Sequence, residues 1–224
     1  MKNISVVITS CGRFDLLEKT IQTFLKYNTY EHINQFIIID DSGNPDTKNS
    51  IENITSNCGF QFEPQIILNE KNIGQVSSID KAYENVINDY IFHMEDDWEF
   101  YDYGFIEESL AILETYPEIM IVWLRNHNDT NGHRLEKLDN YDFKLPKLNC
   151  GNWHGFTWNP GLRRLSDYNL VKPFHKNANS EEKASVFYMK KGFRSAISKK
   201  ELGYVKHIGN NERSTAFMRN TQKG

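Results

Sequence analysis

The feature that most constrains this chain is a series of short apolar runs near its start, spaced by helical patterns. The runs are Ile4-Ser5-Val6-Val7-Ile8, Phe36-Ile37-Ile38-Ile39, Gln65 to Leu68 and Tyr90 to Met94. A strand with one wet face alternates apolar and polar residues. Phe36 to Ile39 does not alternate, which fits a strand buried on both faces of a parallel sheet. Between the first two runs, Phe14, Leu17, Ile21, Phe24 and Leu25 recur at steps of three and four, a helical stripe. A weaker helix is predicted over residues 45–57 with Ile51 and Ile54, and another over Gly74 to Asn88 through Val76, Ile79, Tyr83, Val86 and Ile87. Parallel neighbours require right-handed crossovers, so the expected fold is α/β, a mainly parallel sheet with helices on both faces.

A helix near Phe105 to Tyr116 and a strand at Ile119 to Leu124 continue the alternation. From about residue 126 to 160 the pattern breaks into Asn, Gly, Trp and Pro, a loop-rich insertion of the kind that carries function. The last third reads as one or two helices, then short strands at Phe193 to Ser198 and Tyr204 to His207. There is no repeat or linker, so a single domain is expected.

The 224 residues suffice for a sizeable core, and 39% hydrophobic with 25% charged residues is ordinary for a soluble globular protein. The 26 basic and 30 acidic residues leave a net charge of -4, which argues against a nucleic-acid partner. The longest apolar run, Ile119 to Leu124, is too short to span a bilayer, and the first residues lack the apolar centre of a signal peptide. Cys11, Cys58 and Cys150 form no zinc pattern and read as reduced thiols, so a soluble, cytoplasmic protein is expected.

Ligands of open α/β sheets bind beyond the carboxyl ends of the strands. Here those ends read Thr9-Ser10-Cys11-Gly12-Arg13, Asp40-Asp41-Ser42-Gly43 and Glu95-Asp96-Asp97. Parallel strands bring one cation and up to five carboxylates to a single rim. Clustered carboxylates repel one another, and a divalent cation removes the conflict. Hard oxygen ligands select Mg²⁺, Mn²⁺ or Ca²⁺, and one or two carboxylates leave positions open for phosphate and water. The chemistry implied is a metal-bound phosphate or diphosphate.

The order Ser5-Val6-Val7-Ile8-Thr9, Ile38-Ile39-Asp40-Asp41-Ser42-Gly43, Asn72-Ile73-Gly74 and Glu95-Asp96-Asp97 resembles the GT-A glycosyltransferases of the family 2 kind. The Glu-Asp-Asp form, followed by Trp98-Glu99-Phe100, is similar to the N-acetylglucosaminyltransferase I group. The likeness covers roughly the first 130 residues and extends more loosely to Asn159-Pro160-Gly161. It implies a nucleotide-sugar-binding half, residues 1–125, and an acceptor-binding and catalytic half, residues 126–224. By resemblance, Asp40 or Asp41 holds the base of the nucleotide. Thr9 and Arg13 line the nucleoside, with Ser10 and Gly74 in adjoining donor-binding positions. Asp97 ligates Mn²⁺ or Mg²⁺, Asp96 contacts ribose or metal-bound water, and Glu95 supports them. Lys81 falls where some relatives carry a basic residue near the donor. The donor implied is a uridine diphosphate sugar, and the acceptor is a glycan, protein or small molecule.

Glycosyl transfer also needs a carboxylate to take the acceptor proton. Ser180 is a candidate N-cap that places Glu181 and Glu182 in the first turn of a helix. The resemblance makes this pair the candidate base of an inverting enzyme, Glu182 slightly favoured. It also makes His207, in Tyr204 to Gly209, a candidate partner of the metal or diphosphate. Trp153, Phe156 and Trp158 read either as core or as an apolar platform for an acceptor sugar. Arg163 and Arg164 read as diphosphate partners or helix-surface residues. Two other classes compete. A nucleotidyltransferase would carry a glycine-rich basic loop after the first strand, which Cys11-Gly12-Arg13-Phe14 lacks. A non-catalytic sugar-nucleotide or glycan-binding module would not need the acidic triplet and the glutamate pair together.

Overall fold

The computed structural model describes residues 1–146 and 154–209. Its first hundred residues alternate as expected: β1 (Ile4–Ser10), α1 (Phe14–Tyr27), β2 (Ile33–Asp40), α2 (Thr47–Asn57), β3 (Gln65–Leu68), α3 (Gln75–Tyr83) and β4 (Tyr90–Glu95). There follow β5 (Trp98–Phe100), α4 (Phe105–Thr115), β6 (Ile119–Trp123), β7 (Leu135–Lys137), β8 (Lys144–Pro146) and β9 (Gly161–Arg164). The chain then forms α5 (Leu165–Asn169), α6 (Phe174–Asn177), α7 (Glu181–Lys190), β10 (Arg194–Ile197) and β11 (Val205–His207).

The main sheet has the order β3-β2-β1-β4-β9. Its first four strands are parallel, and β9 closes the edge antiparallel to β4. Every residue of β1 is buried, because helices cover both faces. Ile4, Val6 and Ile8 pack with Leu17, Ile21 and Phe24 of α1 and with Ile51 and Ile54 of α2. Val7, Ile37 and Ile39 point the other way, onto Ile79, Ala82 and Tyr83 of α3. The absence of alternation in the sequence is thus the signature of two cores sharing one sheet.

Three expectations are corrected. Helix α3 stops at Tyr83 rather than Asn88. Asn85 and Val86 donate to the carbonyls three residues back, Asn85 Nδ2 folds onto the Lys81 carbonyl, and Ile87 is left exposed. The loop-rich stretch contains the antiparallel pair β7–β8, which joins β6 and β10 in a second sheet, β6-β10-β8-β7. Arg163 and Arg164 lie on strand β9, not on a helix. No described helix is long and apolar enough to cross a membrane.

Candidate active site

The strand register fixes the rim. Ser10 sits opposite Asp40 and Thr9 opposite Glu95, so the three motif-bearing ends lie level. Thr9 and Ser10 are buried at the end of β1, with Ser10 beside Asp96.

Asp40 and Asp41 are buried, and both hold backbone. Asp40 accepts from the amides of Gly12 and Ser42, at 2.8 and 2.9 Å. Asp41 accepts from the amides of Ile73 and Gly74, each at 2.8 Å, and from Asn69 Nδ2. These bonds cross-brace the three loops that rim the sheet. Gly74 adopts φ +90 as the residue preceding α3, a conformation that favours glycine. Lys81 donates to Asn69 Oδ1 at 2.7 Å, so it supports the Asp41 network from behind.

The acidic triplet divides into three environments. Asp96 is fully buried, takes the Arg13 guanidinium on both oxygens and is reached by the Cys11 amide. Burial pushes its carboxyl up to about 6, with Arg13 opposing the shift. Arg13 Nη1 continues to Asp97 Oδ2 at 2.8 Å, so one cation bridges two carboxylates. Glu95 takes Gln75 Nε2 and Trp98 Nε1, and burial with the nearby charges of Asp97 and Glu181 pushes it up to about 7. At Asp97 burial acts the same way, but His207 and Arg13 outweigh it and hold the carboxyl below its ordinary value.

Asp97 is where a distant segment closes on the rim. β11 pairs antiparallel with β5, setting His207 opposite Trp98. His207 Nε2 lies 3.2 Å from Asp97 Oδ2, and the Ile208 amide donates to the Asp97 carbonyl at 2.9 Å. Gly209 rests against the carboxylate so closely that a Cβ there would fall 2.4 Å from Oδ2. Behind the triplet, Thr20 Oγ1 donates to the Asp96 carbonyl and accepts from the Trp98 amide, at 2.8 and 3.1 Å. Asp97 Oδ1 is buried and has no hydrogen-bond partner among the described residues. No group of three or more His, Cys, Asp or Glu side chains suited to a metal occurs among the described residues. The rim therefore offers a cation two side chains, Asp97 and His207. That set fits Mn²⁺ or Mg²⁺ whose remaining positions go to diphosphate and water.

Ser180 caps α7 as expected, its hydroxyl accepting from the Lys183 amide at 3.2 Å. The two glutamates then part. Glu182 is exposed, whereas Glu181 is half-buried, and its charge bears on Glu95. Glu181 Oε1 accepts from Thr157 Oγ1 and from the Trp158 amide, at 2.8 and 2.7 Å. Trp158 is 4% exposed, packed against Phe156 and Phe174, so its ring is core rather than a sugar platform. Trp153 and the segment from Asn210 lie outside the described residues.

Thr20, Thr157, Asn69 and Gly209 were missed from sequence. Thr20 left one signal, a polar residue on the apolar stripe of α1 beside Leu17 and Ile21. Thr157, Asn69 and Gly209 are made significant only by tertiary contact.

The structure thus brings the strand-end carboxylates, Arg13 and His207 to one rim. The chain belongs to glycosyl transferase family 2, whose model matches residues 5–187. Its fold is the GT-A fold. Among solved structures it resembles the mannosyltransferase PcManGT from Pyrobaculum calidifontis in complex with GDP-Man and Mn²⁺. The identity is 9% and the TM-score 0.71, over 99% of this chain and 61% of that one. It also resembles residues 1–349 of S. aureus TarS, at 14% identity and TM-score 0.61, over 92% of this chain and 60% of that one. A third is GalNAc-T7 with UDP, GalNAc and Mn²⁺, at 13% identity and TM-score 0.67, over 93% and 43%. The chain thus spans between 43% and 61% of the length of these structures. No curated protein sequence matches it significantly.

Proposed function

We propose that this protein transfers a sugar from a uridine diphosphate sugar to an acceptor hydroxyl with inversion at the anomeric carbon. Asp97 and His207 hold Mn²⁺ or Mg²⁺, and Glu181 is the general base. The observation that carries the proposal is Asp97, a buried carboxylate whose pKa is held down, with His207 and Arg13 on one oxygen and no partner on the other among the described residues. A divalent cation there supplies charge neutralisation for the departing diphosphate.

Residues 1–125 form the nucleotide-sugar half and residues 126–224 the acceptor and catalytic half. Asp40 and Asp41 shape the nucleoside pocket through the loops they hold, with Thr9, Ser10 and Gly74 along its wall. Arg13 lines the nucleoside side of the site and, by bridging Asp96 and Asp97, holds the two carboxylates together. The likeness of Glu95-Asp96-Asp97 to the N-acetylglucosaminyltransferase I group favours a uridine donor. GDP-Man in the Pyrobaculum enzyme makes guanosine the second reading.

Glu181 is favoured over Glu182 because it is half-buried and its charge acts on Glu95, whereas Glu182 is exposed; adjacent helical side chains diverge by about 100°. In the transfer the acceptor oxygen attacks C1 and its proton passes to Glu181. The C1–O bond to the diphosphate breaks, and its electron pair leaves with the nucleotide. A single displacement of this kind inverts the centre.

The test is calorimetry with UDP and GDP in the presence of Mn²⁺, followed by NMR of the product's anomeric configuration. Tighter binding of UDP and an inverted product are expected. Tighter GDP binding overturns the base assignment, and a retained configuration overturns the single displacement.

A further inference from the structure

Arg163 is 4% exposed, yet no carboxylate pairs with it among the described residues. Its Nη2 donates to the carbonyls of Thr157 and Asn159, at 3.4 and 3.5 Å. The guanidinium lies over the rings of Phe156 and Trp158, at 5.6 and 5.9 Å. His93 and Tyr83 are buried beside it, and the arginine acts on both; among the described residues neither ring nitrogen of His93 nor Arg163 Nε and Nη1 meets a well-aligned hydrogen-bond partner. Burial, aided by the arginine, holds His93 well below its ordinary value, so it stays neutral. A cation taken out of water without a counter-ion is costly. At this position a methionine would fill the space without that cost. What the arginine has and a methionine lacks is its grip on the 157–159 turn.

The other side of that turn faces Glu181. Thr157 Oγ1 and the Trp158 amide both donate to Glu181 Oε1, while the Asn159 amide donates to Thr157 Oγ1 at 3.2 Å. Thr157 is thus bonded inward to Arg163 and outward to the glutamate, with Asn159 bonded to the arginine and Trp158 to the glutamate. We infer that Arg163 is a positioning residue for the acceptor-side chemistry: through the 157–159 turn it fixes the orientation of the Glu181 carboxylate. The inference rests on the reading of Glu181 as general base. It gives a catalytic purpose to a buried charge that makes no contact with the nucleotide-binding rim.

The test is a double-mutant cycle of Arg163→Met and Glu181→Gln, with Arg163→Lys as the conservative variant. The reaction followed is Mn²⁺-dependent release of nucleoside diphosphate, with water as acceptor. UDP-N-acetylglucosamine, UDP-galactose and GDP-mannose are compared, and the donor that the wild type cleaves fastest is used. Misplacing a catalytic group by about an ångström costs on the order of 100-fold. Arg163→Met is expected to lower kcat by about 10- to 100-fold with donor KM within about twofold, and Arg163→Lys to recover part of the loss. In the Glu181→Gln background, Arg163→Met is expected to cost less than about twofold more, because its route of action is already cut. Full turnover by Arg163→Met, losses that multiply in the double variant, or kcat and KM worsening together each overturn the inference. Full turnover by Glu181→Gln instead overturns the base assignment itself. If Arg163→Met does not fold, Thr157→Val takes its place in the cycle. It removes the hydroxyl on Glu181 and leaves the arginine, and full turnover there contradicts the relay.

Discussion

Replacing Gly209 with alanine inserts a single methyl group against the proposed metal ligand. The new Cβ would lie 2.4 Å from Asp97 Oδ2, 2.8 Å from its Cβ and 3.0 Å from its Cγ, about 1 Å short of ordinary contact at the closest point. Relief requires either that the carboxylate rotate or that the 207–209 segment lift. The first breaks the 2.8 Å bond from Arg13, and the second loosens His207 at 3.2 Å and the Ile208 amide at 2.9 Å. Overpacking typically costs about 1–3 kcal/mol, and each bond lost adds about 1 kcal/mol. For a domain of this size 1 kcal/mol lowers Tm by roughly 2–4 °C. If about 1.4 kcal/mol of the cost falls on the metal site, the Mn²⁺-dependent affinity for UDP drops about tenfold. Scanning calorimetry and UDP titration with Mn²⁺ measure both. Wild-type Tm and wild-type affinity in Gly209→Ala would refute the close packing of this segment on Asp97.

The remaining predictions separate the carboxylates. Glu181→Gln should cut turnover by at least about 100-fold while leaving UDP affinity within about twofold, and Glu182→Gln should leave both near wild type. The reverse pattern in steady-state kinetics moves the base to Glu182. Glu95 is raised from 4.5 to about 7, first by burial, then by Asp97 and Glu181, so the native state keeps a proton that the unfolded chain has released. Its contribution to stability is full below about pH 4.5 and is lost as pH rises to about 7. Urea denaturation in EDTA should show stability falling across that window. Glu95→Gln should flatten the fall, Asp96 accounting for what remains, and an unchanged slope contradicts the assignment.

Most of the main sheet was legible because its evidence is local. Unbroken apolar runs such as Phe36 to Ile39 and the three-and-four spacing of α1 each announce one element. The acids at the strand ends follow directly from that alternation. The end of α3 was not legible, since Val86 and Ile87 keep the helical period while Asn85 turns the backbone away from it. Burial of Arg163 could not be read because β9 is four residues long and pairs with a strand some seventy positions earlier. The meeting of His207 with Asp97 depends on a pairing of two three-residue strands more than a hundred positions apart. The choice within Glu181-Glu182 depends on where the 157–159 turn lands, which no periodicity encodes.

The most direct test of the account is whether nucleotide binding depends on a cation at Asp97. UDP is titrated into the wild type and Asp97→Asn by isothermal calorimetry, each in Mn²⁺ and in EDTA. Asparagine keeps the shape and removes the charge. The account predicts at least tenfold tighter binding in Mn²⁺ for the wild type, about 1.4 kcal/mol, with most of that gain gone in Asp97→Asn. Equal Mn²⁺-dependent affinity in the two proteins, or no Mn²⁺ dependence in the wild type, contradicts it.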